Sequence, residues 1–265
     1  MHRPALDTTE LARHVDESSL WTSIEVVSEV GSTNTALAAR ARVGAPEGVV
    51  LTTEHQTHGK GRVDRSWTSP PRAGIAVSVL LRPKVPQSTW SWIPLLAGVA
   101  AADAVRRFSG VETALKWPND VLAGPERRKC AGILAEIADG GVVLGLGVNV
   151  DLSRAELPRD DTTSIALETS GALDRTGLLA AILTDLERWY RAWLDAGGDP
   201  IAANLASAYR ERSHTLGKQV VVWLPDGSSV RGRAVAVDAD GRLCVDNEHG
   251  RTAVAAGDVT HVRLG

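Results

Sequence analysis

The chain is poor in cysteine and has no long apolar run. Cys130 and Cys244 are the two cysteines among 265 residues, so the sequence offers neither a disulfide framework nor a cysteine metal-ligand cluster. No stretch approaches the roughly 18 unbroken apolar residues that a membrane-spanning helix needs. The N-terminal sequence MHRPALDTTE is polar and lacks the apolar core of a signal peptide. These absences favour a cytoplasmic protein in a reducing compartment that does not bind a membrane.

An excess of positive charge is also missing. Lysine and arginine total 29 against 32 aspartates and glutamates, which gives a formal net charge of −3 and argues against a dedicated nucleic-acid binder. Hydrophobic residues make up 43% of the chain and charged residues 23%, as is usual in soluble globular proteins. At 265 residues, the chain is long enough for a sizeable core and for two domains of unequal size.

Several short motifs lack a necessary part. His55 and His58 have no third metal ligand at a matching spacing, so we predict no metal site built from protein side chains. Gly145-Leu146-Gly147 lacks the third glycine of a dinucleotide-binding fingerprint. Gly59-Lys60 is followed by glycine where a P-loop has serine or threonine.

The most informative segment that is present alternates glycines with cations; it is HQTHGKGRVDRSW, residues 55–67. Glycine lets backbone amides approach an anion, and Lys60, Arg62 and Arg65 can neutralise phosphate or carboxylate charge. Trp67 offers a flat apolar wall. The segment predicts a loop that closes over an anionic, partly apolar ligand, although a solvated or nucleic-acid-binding loop has the same composition. Because its cations repel one another, we expect the loop to become ordered when an anion binds.

Further segments carry residues suited to a site. Lys116-Trp117-Pro118-Asn119-Asp120 holds a lysine and an aspartate near a strand end, where sites on open sheets lie. Lys129 stands at the entrance of a buried strand that carries Gly132, and glycine within a strand indicates close approach of another group. The remaining two segments are GLGVNV, residues 145–150, and GSTN, residues 31–34.

In this order and spacing, the five segments resemble the catalytic domain of the biotin protein ligases, the biotin–[acetyl-CoA-carboxylase] ligase family, over roughly residues 24 to 263. The glycine–arginine loop of the family is matched, but Lys60 stands where the family usually has arginine. Lysine keeps the charge and loses the bidentate fork. Val63 and Asp64 stand where the family loop is often more basic, so loop closure in this chain is expected to differ in detail.

The resemblance implies a reaction in two steps. The carboxylate of biotin attacks the α-phosphate of ATP, which gives biotinyl-5'-AMP and pyrophosphate, and a lysine of an acceptor protein then takes the biotinyl group and releases AMP. The implied acceptor is the biotin carboxyl carrier domain of acetyl-CoA carboxylase, a related acyl-CoA carboxylase or pyruvate carboxylase. Mg²⁺ is expected on the phosphates, held mainly by phosphate oxygens and water.

The resemblance also implies residue roles. Lys129 would bridge the biotinyl carbonyl oxygen and the α-phosphate, Asn149 would read the adenine edge, and Asp120 would orient the incoming lysine. The implied catalytic residues are Lys129, Lys60, Arg62, Asp120 and Lys116. The implied biotin-binding residues are Ser32, Thr33, Asn34, Gln56, Gly59, Lys60, Gly61, Arg62, Trp67, Lys129, Gly132, Gly145 and Gly147. The implied ATP-binding residues are Lys60, Arg62, Arg65, Trp67, Lys129 and Asn149.

The hydrophobic periodicity predicts an α+β fold. We expect a lead-in over residues 1–20, a catalytic domain with a mixed β-sheet and flanking helices over 21–216, and a small C-terminal β-barrel domain over 217–265. The predicted strands and helices are, in chain order, strand 24–30, helix 33–42, strand 49–53, strand 75–81, helix 90–108, a hairpin of 133–137 with 142–148, helix 176–194 and helix 201–209.

Three other functions share some of these features. A lipoate–protein ligase has a similar catalytic fold, but the intact segment from Lys116 to Asp120 and the glycine–cation loop favour biotin. A biotin-responsive repressor would need an N-terminal helix-turn-helix domain, and the residues before Gly31 are too few for one, so we expect a short form of the family. A nucleic-acid-binding barrel is disfavoured by the net charge. We expect a monomer or weak homodimer that binds no nucleic acid.

Overall fold

The computed structural model describes residues 3–15, 19–63, 65–170 and 173–262. Its helices are α1 (Thr8–Ala12), α2 (Thr33–Arg42), α3 (Ile93–Ser109), α4 (Ile165–Glu168), α5 (Arg175–Asp195) and α6 (Leu205–Arg212), with 3₁₀ turns at Gln87–Trp92 and Arg154–Glu156. Its strands are β1 (Ser23–Val27), β2 (Val49–Thr53), β3 (Gly74–Leu81), β4 (Thr113–Lys116), β5 (Asp120–Ala123), β6 (Arg128–Ala138), β7 (Gly141–Asn149), β8 (Gln219–Trp223), β9 (Ser229–Val237), β10 (Leu243–Asn247), β11 (Gly250–Val254) and β12 (Asp258–His261).

The larger sheet has seven strands in the order β1-β2-β3-β7-β6-β5-β4. The β1–β2 pair is parallel and the other pairs are antiparallel, so the sheet is mixed, as the sequence predicts. The long β6–β7 hairpin lies at its centre, because both strands are rich in buried aliphatic residues and the tight turn at Asp139 and Gly140 has positive φ. The pairing of β6 with β7 brings the polar residues at the ends of these two strands close to one another.

Helices α3 and α5 cover the apolar side of this sheet and pack on each other. Helix α3 is almost wholly apolar and buried, which is the pattern of a helix enclosed between a sheet and a second helix. It ends at Gly110, whose φ of 71° is the left-handed conformation that terminates many helices. Asp174 caps α5, since its side chain accepts hydrogen bonds from Thr176 N and Gly177 N.

The C-terminal unit is a separate five-stranded antiparallel sheet in the order β11-β10-β9-β8-β12. Two buried indole groups of the first unit bond to one of its turns. Trp92 Nε1 donates to Ala239 O at 2.8 Å, and Trp117 Nε1 donates to Gly241 O at 3.2 Å. Trp117, which the sequence places in a site motif, therefore attaches the C-terminal sheet. The division near residue 216 stays a prediction.

The structure confirms the α+β class and most of the expected elements, with differences at their ends. Strand β1 ends at Val27, and α3 is preceded by the 3₁₀ turn rather than starting at residue 90. The last helix of the first unit begins at Leu205 rather than near residue 201, because Asn204 has a left-handed φ of 58° that no helix contains. Within the described ranges, no helix is both long enough and apolar enough to cross a membrane.

The end of β12 makes a pH-dependent contact with the first unit. The rings of His214 and His261 lie 5.1 Å apart, and His261 Nε2 lies 3.5 Å from Thr215 Oγ1. Burial, together with the charges of His214, Lys116 and Lys218, lowers the pKa of His261 to about 4. In the folded protein His261 therefore stays neutral until the pH falls to about 4, whereas in the unfolded chain it is protonated near the ordinary histidine pKa.

We expect thermal stability to be greatest above about pH 6.5 and to fall towards about pH 4, because the unfolded state binds more protons in this interval. His261→Gln should reduce that fall, and His249→Gln should not, since His249 is exposed. Melting temperatures measured from about pH 7 to about pH 4.5 test this. An equal pH dependence in His261→Gln and the unmodified protein would contradict it.

Candidate functional site

One cavity of about 530 Å³ opens over the central strands of the larger sheet. That volume suits a small-molecule ligand. Its lining combines polar uncharged groups, cations, two carboxylates and an apolar floor. The lining residues are Ser32, Thr33, Asn34, Gln56, Lys60, Gly61, Arg62, Arg65, Ser66, Trp67, Thr68, Val77, Asn119, Asp120, Lys129, Gly132, Ile133, Leu134, Gly145, Leu146, Gly147, Asn149, Pro158, Arg159, Thr162 and Asp258.

A network of uncharged polar groups forms one part of the wall. Gln56 Oε1 accepts hydrogen bonds from Thr33 N at 2.9 Å and from Thr33 Oγ1 at 3.1 Å. Buried Ser78 lies behind them, with its Oγ 2.7 Å from Thr33 Oγ1 and 2.6 Å from Asn34 Oδ1. Asn34 Nδ2 donates to Glu136 Oε2 at 2.8 Å. The network fixes these side chains in place, and sequence reasoning missed Ser78 because it lies 44 residues from Asn34.

The glycines of β6 and β7 make room for side chains. A methyl carbon added at Gly147 would lie 2.4 Å from Trp67 Cε2, one added at Gly132 would lie 3.0 Å from Trp67 Cζ3, and one added at Gly145 would lie 2.1 Å from Asn34 Oδ1. All three glycines line the cavity, and the expectation that they lie flush against a ligand stays a prediction. The indole of Trp67 and the amide of Asn34 lie close against the sheet at these positions.

The glycine–cation loop is a short hairpin that returns Trp67 to the sheet. Gly61 N donates to Arg65 O at 2.6 Å, and Trp67 N donates to Gly59 O at 2.8 Å. Gly59 does not line the cavity. It packs closely against the opposite strand of the hairpin, where a methyl carbon would stand 2.2 Å from Trp67 O. At the tip, Val63 has a φ of 51°, which a β-branched residue adopts at a steric cost. Asp64, the other departure from the family loop, lies outside the described residues.

Lys129 is the cation at the centre of the site. Its Nζ lies 2.6 Å from Asp120 Oδ1 and 5.7 Å from the ring centroid of Trp67. Strands β5 and β6 are neighbours, and their register places Asp120 opposite Gly132. The ammonium group is partly buried, so the carboxylate compensates for the water that it has lost.

The arginines of the hairpin are held by groups that sequence reasoning missed. Arg65 pairs with Asp258, and Arg62 Nη1 donates to Asn119 Oδ1 at 3.2 Å and to Gly257 O at 3.5 Å. Burial lowers the pKa of Arg62, which nevertheless stays charged. The start of β12 thus supplies a counter-charge to the loop from 193 residues away. Whether an anion also orders the loop stays a prediction.

A second loop, residues 151–163, borders the cavity beside Lys129. Lys129 N donates to Asp161 O at 2.9 Å, and Thr163 N donates to Lys129 O at 2.8 Å. Asn149 is buried at the end of β7, and its Nδ2 donates to Thr163 O at 3.1 Å. The expected adenine-reading residue therefore lines the cavity while bonded to this loop.

Lys116 is the predicted catalytic residue that the structure places outside the cavity lining. It lies at the end of the edge strand β4, opposite Asp120 in the register. Burial lowers the pKa values of His214 and His261, and the nearby charge of Lys116 adds to this effect. Among the described residues, no three His, Cys, Asp or Glu side chains come together as metal ligands.

Comparison with known proteins identifies the family. Residues 26–153 match the Biotin/lipoate A/B protein ligase family, and residues 215–262 match the Biotin protein ligase C terminal domain. A protein of Mycobacterium tuberculosis named Biotin–[acetyl-CoA-carboxylase] ligase is 43% identical over 98% of this chain and 97% of its own length. The chain belongs to the biotin protein ligase family. The resemblance drawn from the five sequence segments is thereby confirmed.

More distant relatives agree with this membership. A protein of Paracoccus denitrificans with the same name is 29% identical over 88% of this chain and 98% of its own length. A solved structure of the biotin protein ligase from Aquifex aeolicus in complex with biotin and ATP matches 92% of this chain and 100% of its own, with a TM-score of 0.76 and 25% identity.

Gly145→Ala tests the close approach of Asn34 to the sheet. We expect the added methyl group to displace the amide and its hydrogen bonds, which should lower the free energy of unfolding by about 1–3 kcal/mol. Gly31→Ala is the matched control, because the nearest atom to its methyl carbon would be 4.0 Å away. Urea denaturation of both variants measures the difference. An unchanged stability in Gly145→Ala would contradict the described packing.

Proposed function

We propose that this chain is a biotin protein ligase, which activates biotin with ATP and transfers the biotinyl group to a lysine of a biotin carboxyl carrier domain. The observation that carries the proposal is the composition of the cavity of about 530 Å³, in which we place both reactants. It presents an uncharged hydroxyl and amide set together with Lys60, Arg62, Arg65 and Lys129. Relatives with the corresponding activity in their names support it, as does a ligase structure in complex with biotin and ATP.

The uncharged set suits the head group of biotin. A ureido ring both donates and accepts hydrogen bonds and carries no charge, and Ser32, Thr33 and Gln56 offer the complementary groups. Behind them, Ser78 bonds to Thr33 and Asn34, and Thr33 bonds in turn to Gln56. A preorganised polar wall lowers the entropy that binding would otherwise cost.

The cations suit the first chemical step. A carboxylate oxygen of biotin attacks the α-phosphorus of ATP, the bond from that phosphorus to the bridging oxygen breaks, and pyrophosphate leaves with the electron pair. Two anions must approach each other, so preorganised positive charge is the main requirement. Among the cavity cations of the described chain, Lys60 and Arg62 lack a carboxylate within salt-bridge distance, which makes them the first anion-binding groups in this proposal.

Lys129 serves both steps in this proposal. Its ammonium group would donate to the α-phosphate and to the biotinyl carbonyl oxygen, so that negative charge on either is stabilised. In the second step the neutral amine of the acceptor lysine attacks the acyl carbon, the bond from that carbon to the phosphate oxygen breaks, AMP leaves with the electron pair, and the nitrogen releases a proton to solvent. Asp120, already bonded to Lys129, would accept a hydrogen bond from that amine and orient it.

Mg²⁺ would enter with ATP rather than occupy a protein cage. The two carboxylates of the cavity, Asp120 and Asp258, are paired with Lys129 and Arg65. Carboxylate oxygens are suitable ligands for Mg²⁺, which would take most of its other ligands from phosphate and water. On the triphosphate, the ion would shield the charge of the leaving pyrophosphate.

The names of the relatives identify the protein that accepts biotin only in part. Names that include acetyl-CoA carboxylase support a biotin carboxyl carrier domain as the partner. Other acyl-CoA carboxylases, pyruvate carboxylase, a cytoplasmic location and a monomeric or weakly dimeric state stay predictions. The absence of nucleic-acid binding stays a prediction as well.

The choice between biotin and lipoate gives the direct test of the function. We expect release of pyrophosphate from ATP to require biotin, because the set of Ser32, Thr33 and Gln56 has no partner in a dithiolane ring. Incubation with labelled ATP and either biotin, lipoate or octanoate, followed by detection of the acyl-adenylate, measures this. Comparable rates with lipoate would identify a lipoate–protein ligase instead.

Lys129→Ala tests the assignment of the central cation. We expect formation of biotinyl-5'-AMP to slow by about 10²–10³, since one charge-stabilising donor is lost from a partly buried site. Biotin affinity should change much less, because the ureido contacts lie on other residues. Arg40→Ala, which breaks an ion pair of α2 with Glu25 outside the cavity, serves as the control. Near-normal adenylation by Lys129→Ala would contradict this assignment and would point to Lys60 as the residue that stabilises the charge.

A further inference from the structure

The N-terminal segment, residues 3–12, is tied to the second cavity loop by one arginine. Arg3 Nη2 donates to Asp151 O at 2.6 Å and to Glu156 Oε2 at 2.7 Å, and Arg3 Nη1 donates to Glu156 Oε1 at 3.2 Å. Only 15% of the Arg3 side chain is exposed. A guanidinium bound to both oxygens of one carboxylate fixes distance and angle together.

Glu156 also shapes the loop that Arg3 holds. Its Oε2 accepts hydrogen bonds from Ser153 N and Ser153 Oγ, both at 2.9 Å, and these form a capping box at the turn Arg154–Glu156. The hydrogen bond from Arg3, followed by those from Ser153, lowers the pKa of Glu156 to about 2. The carboxylate is therefore ionised at neutral pH and the pair is permanently charged.

From this turn the chain continues directly into the cavity wall. Pro158, Arg159 and Thr162 line the cavity, and the loop then bonds to the backbone of Lys129 on both sides. Arg3 thus fixes one end of the loop, and the other end is hydrogen-bonded to the backbone of Lys129. A rotation of the turn at Glu156 would move the three lining residues, because only one residue separates it from Pro158.

The same segment is fastened to the base of the glycine–cation loop. Leu6 N donates to Glu54 Oε1 at 2.6 Å, and buried Arg175 bridges Pro4 O at 2.8 Å and Glu54 Oε2 at 2.6 Å. Arg72 N closes that loop by donating to Glu54 O at 2.8 Å. Leu6 is buried in the main core. The segment therefore has a fixed base from which Arg3 can hold the second loop.

We infer that Arg3 is a positioning residue for adenylate formation: through Glu156 it keeps Pro158, Arg159 and Thr162 against the nucleotide end of the cavity. This rests on the proposed function and on the expected role of Asn149, which bonds to Thr163 of the second loop, in reading the adenine edge of ATP. Arg3 does not line the cavity. Its effect should therefore be on nucleotide affinity and not on biotin affinity.

Arg3→Ala, Arg3→Lys, Glu156→Gln and the double variant Arg3→Ala/Glu156→Gln test the inference. Glu156→Gln keeps an acceptor for Ser153 and loses the charge, so the capping box is retained. We expect Arg3→Ala to raise KM for ATP about tenfold, as for loss of a charged hydrogen bond, and to leave the Kd for biotin within about twofold. Arg3→Lys should be intermediate. The double variant should be no worse than Arg3→Ala.

Loop anchoring has a second readout that does not depend on activity. Tryptic cleavage after Arg154 and Arg159 should become faster in Arg3→Ala and stay unchanged in Arg40→Ala, which removes an ion pair elsewhere. Cleavage rates followed by mass spectrometry measure this without substrate.

The outcomes separate the inference from the proposed function. Failure of the unmodified protein to form biotinyl-5'-AMP would overturn the proposed function and, with it, the role of Arg3. Normal adenylation with an unchanged KM for ATP in Arg3→Ala would overturn the inference alone. An equal loss of ATP and biotin affinity together with a lower melting temperature would reduce Arg3 to a structural residue and would also overturn it.

Discussion

The close approach of side chains to the sheet at Gly132, Gly145 and Gly147 is the constraint on which the site depends. Without side chains at these positions, the indole of Trp67 and the amide of Asn34 lie directly on β6 and β7. The indole then holds the end of the glycine–cation hairpin, and the amide holds the uncharged polar wall. Any larger residue would separate both from the sheet, since real Cβ atoms do not approach other atoms so closely.

Three of the five cavity cations are paired with carboxylates of the protein. Lys129 pairs with Asp120, Arg65 with Asp258 and Arg159 with Asp161. Each carboxylate reduces the cost of holding a cation in a partly enclosed space. Among the described residues, Lys60 and Arg62 have no such partner within salt-bridge distance, so the cavity keeps positive charge for an anionic reactant. The same logic makes the C-terminal sheet part of the cavity, because Asp258 belongs to it.

Much of the fold and site could be predicted because the informative features are local in sequence. The hairpin of β6 and β7, helix α2 and the order of the elements follow from periodicity and from turn residues. The glycine–cation loop supplies Lys60, Arg62, Arg65 and Trp67 within one short segment. Lys116 lies outside the cavity lining, and its catalytic role stays a prediction, because its position next to a strand end does not reveal which neighbouring unit its charge faces.

The sequence by itself determined the family, the mixed fold and the chemical character of the site, because composition and short-range spacing suffice for these. Only the tertiary structure decided the partners of each charge. Asp258 meets Arg65 across 193 positions, Ser78 meets Asn34 across 44, and Arg3 meets Glu156 across 153. Such pairs depend on how the two sheets and the N-terminal segment pack together, and no local pattern records that, since burial of apolar surface drives packing without specifying which polar groups meet.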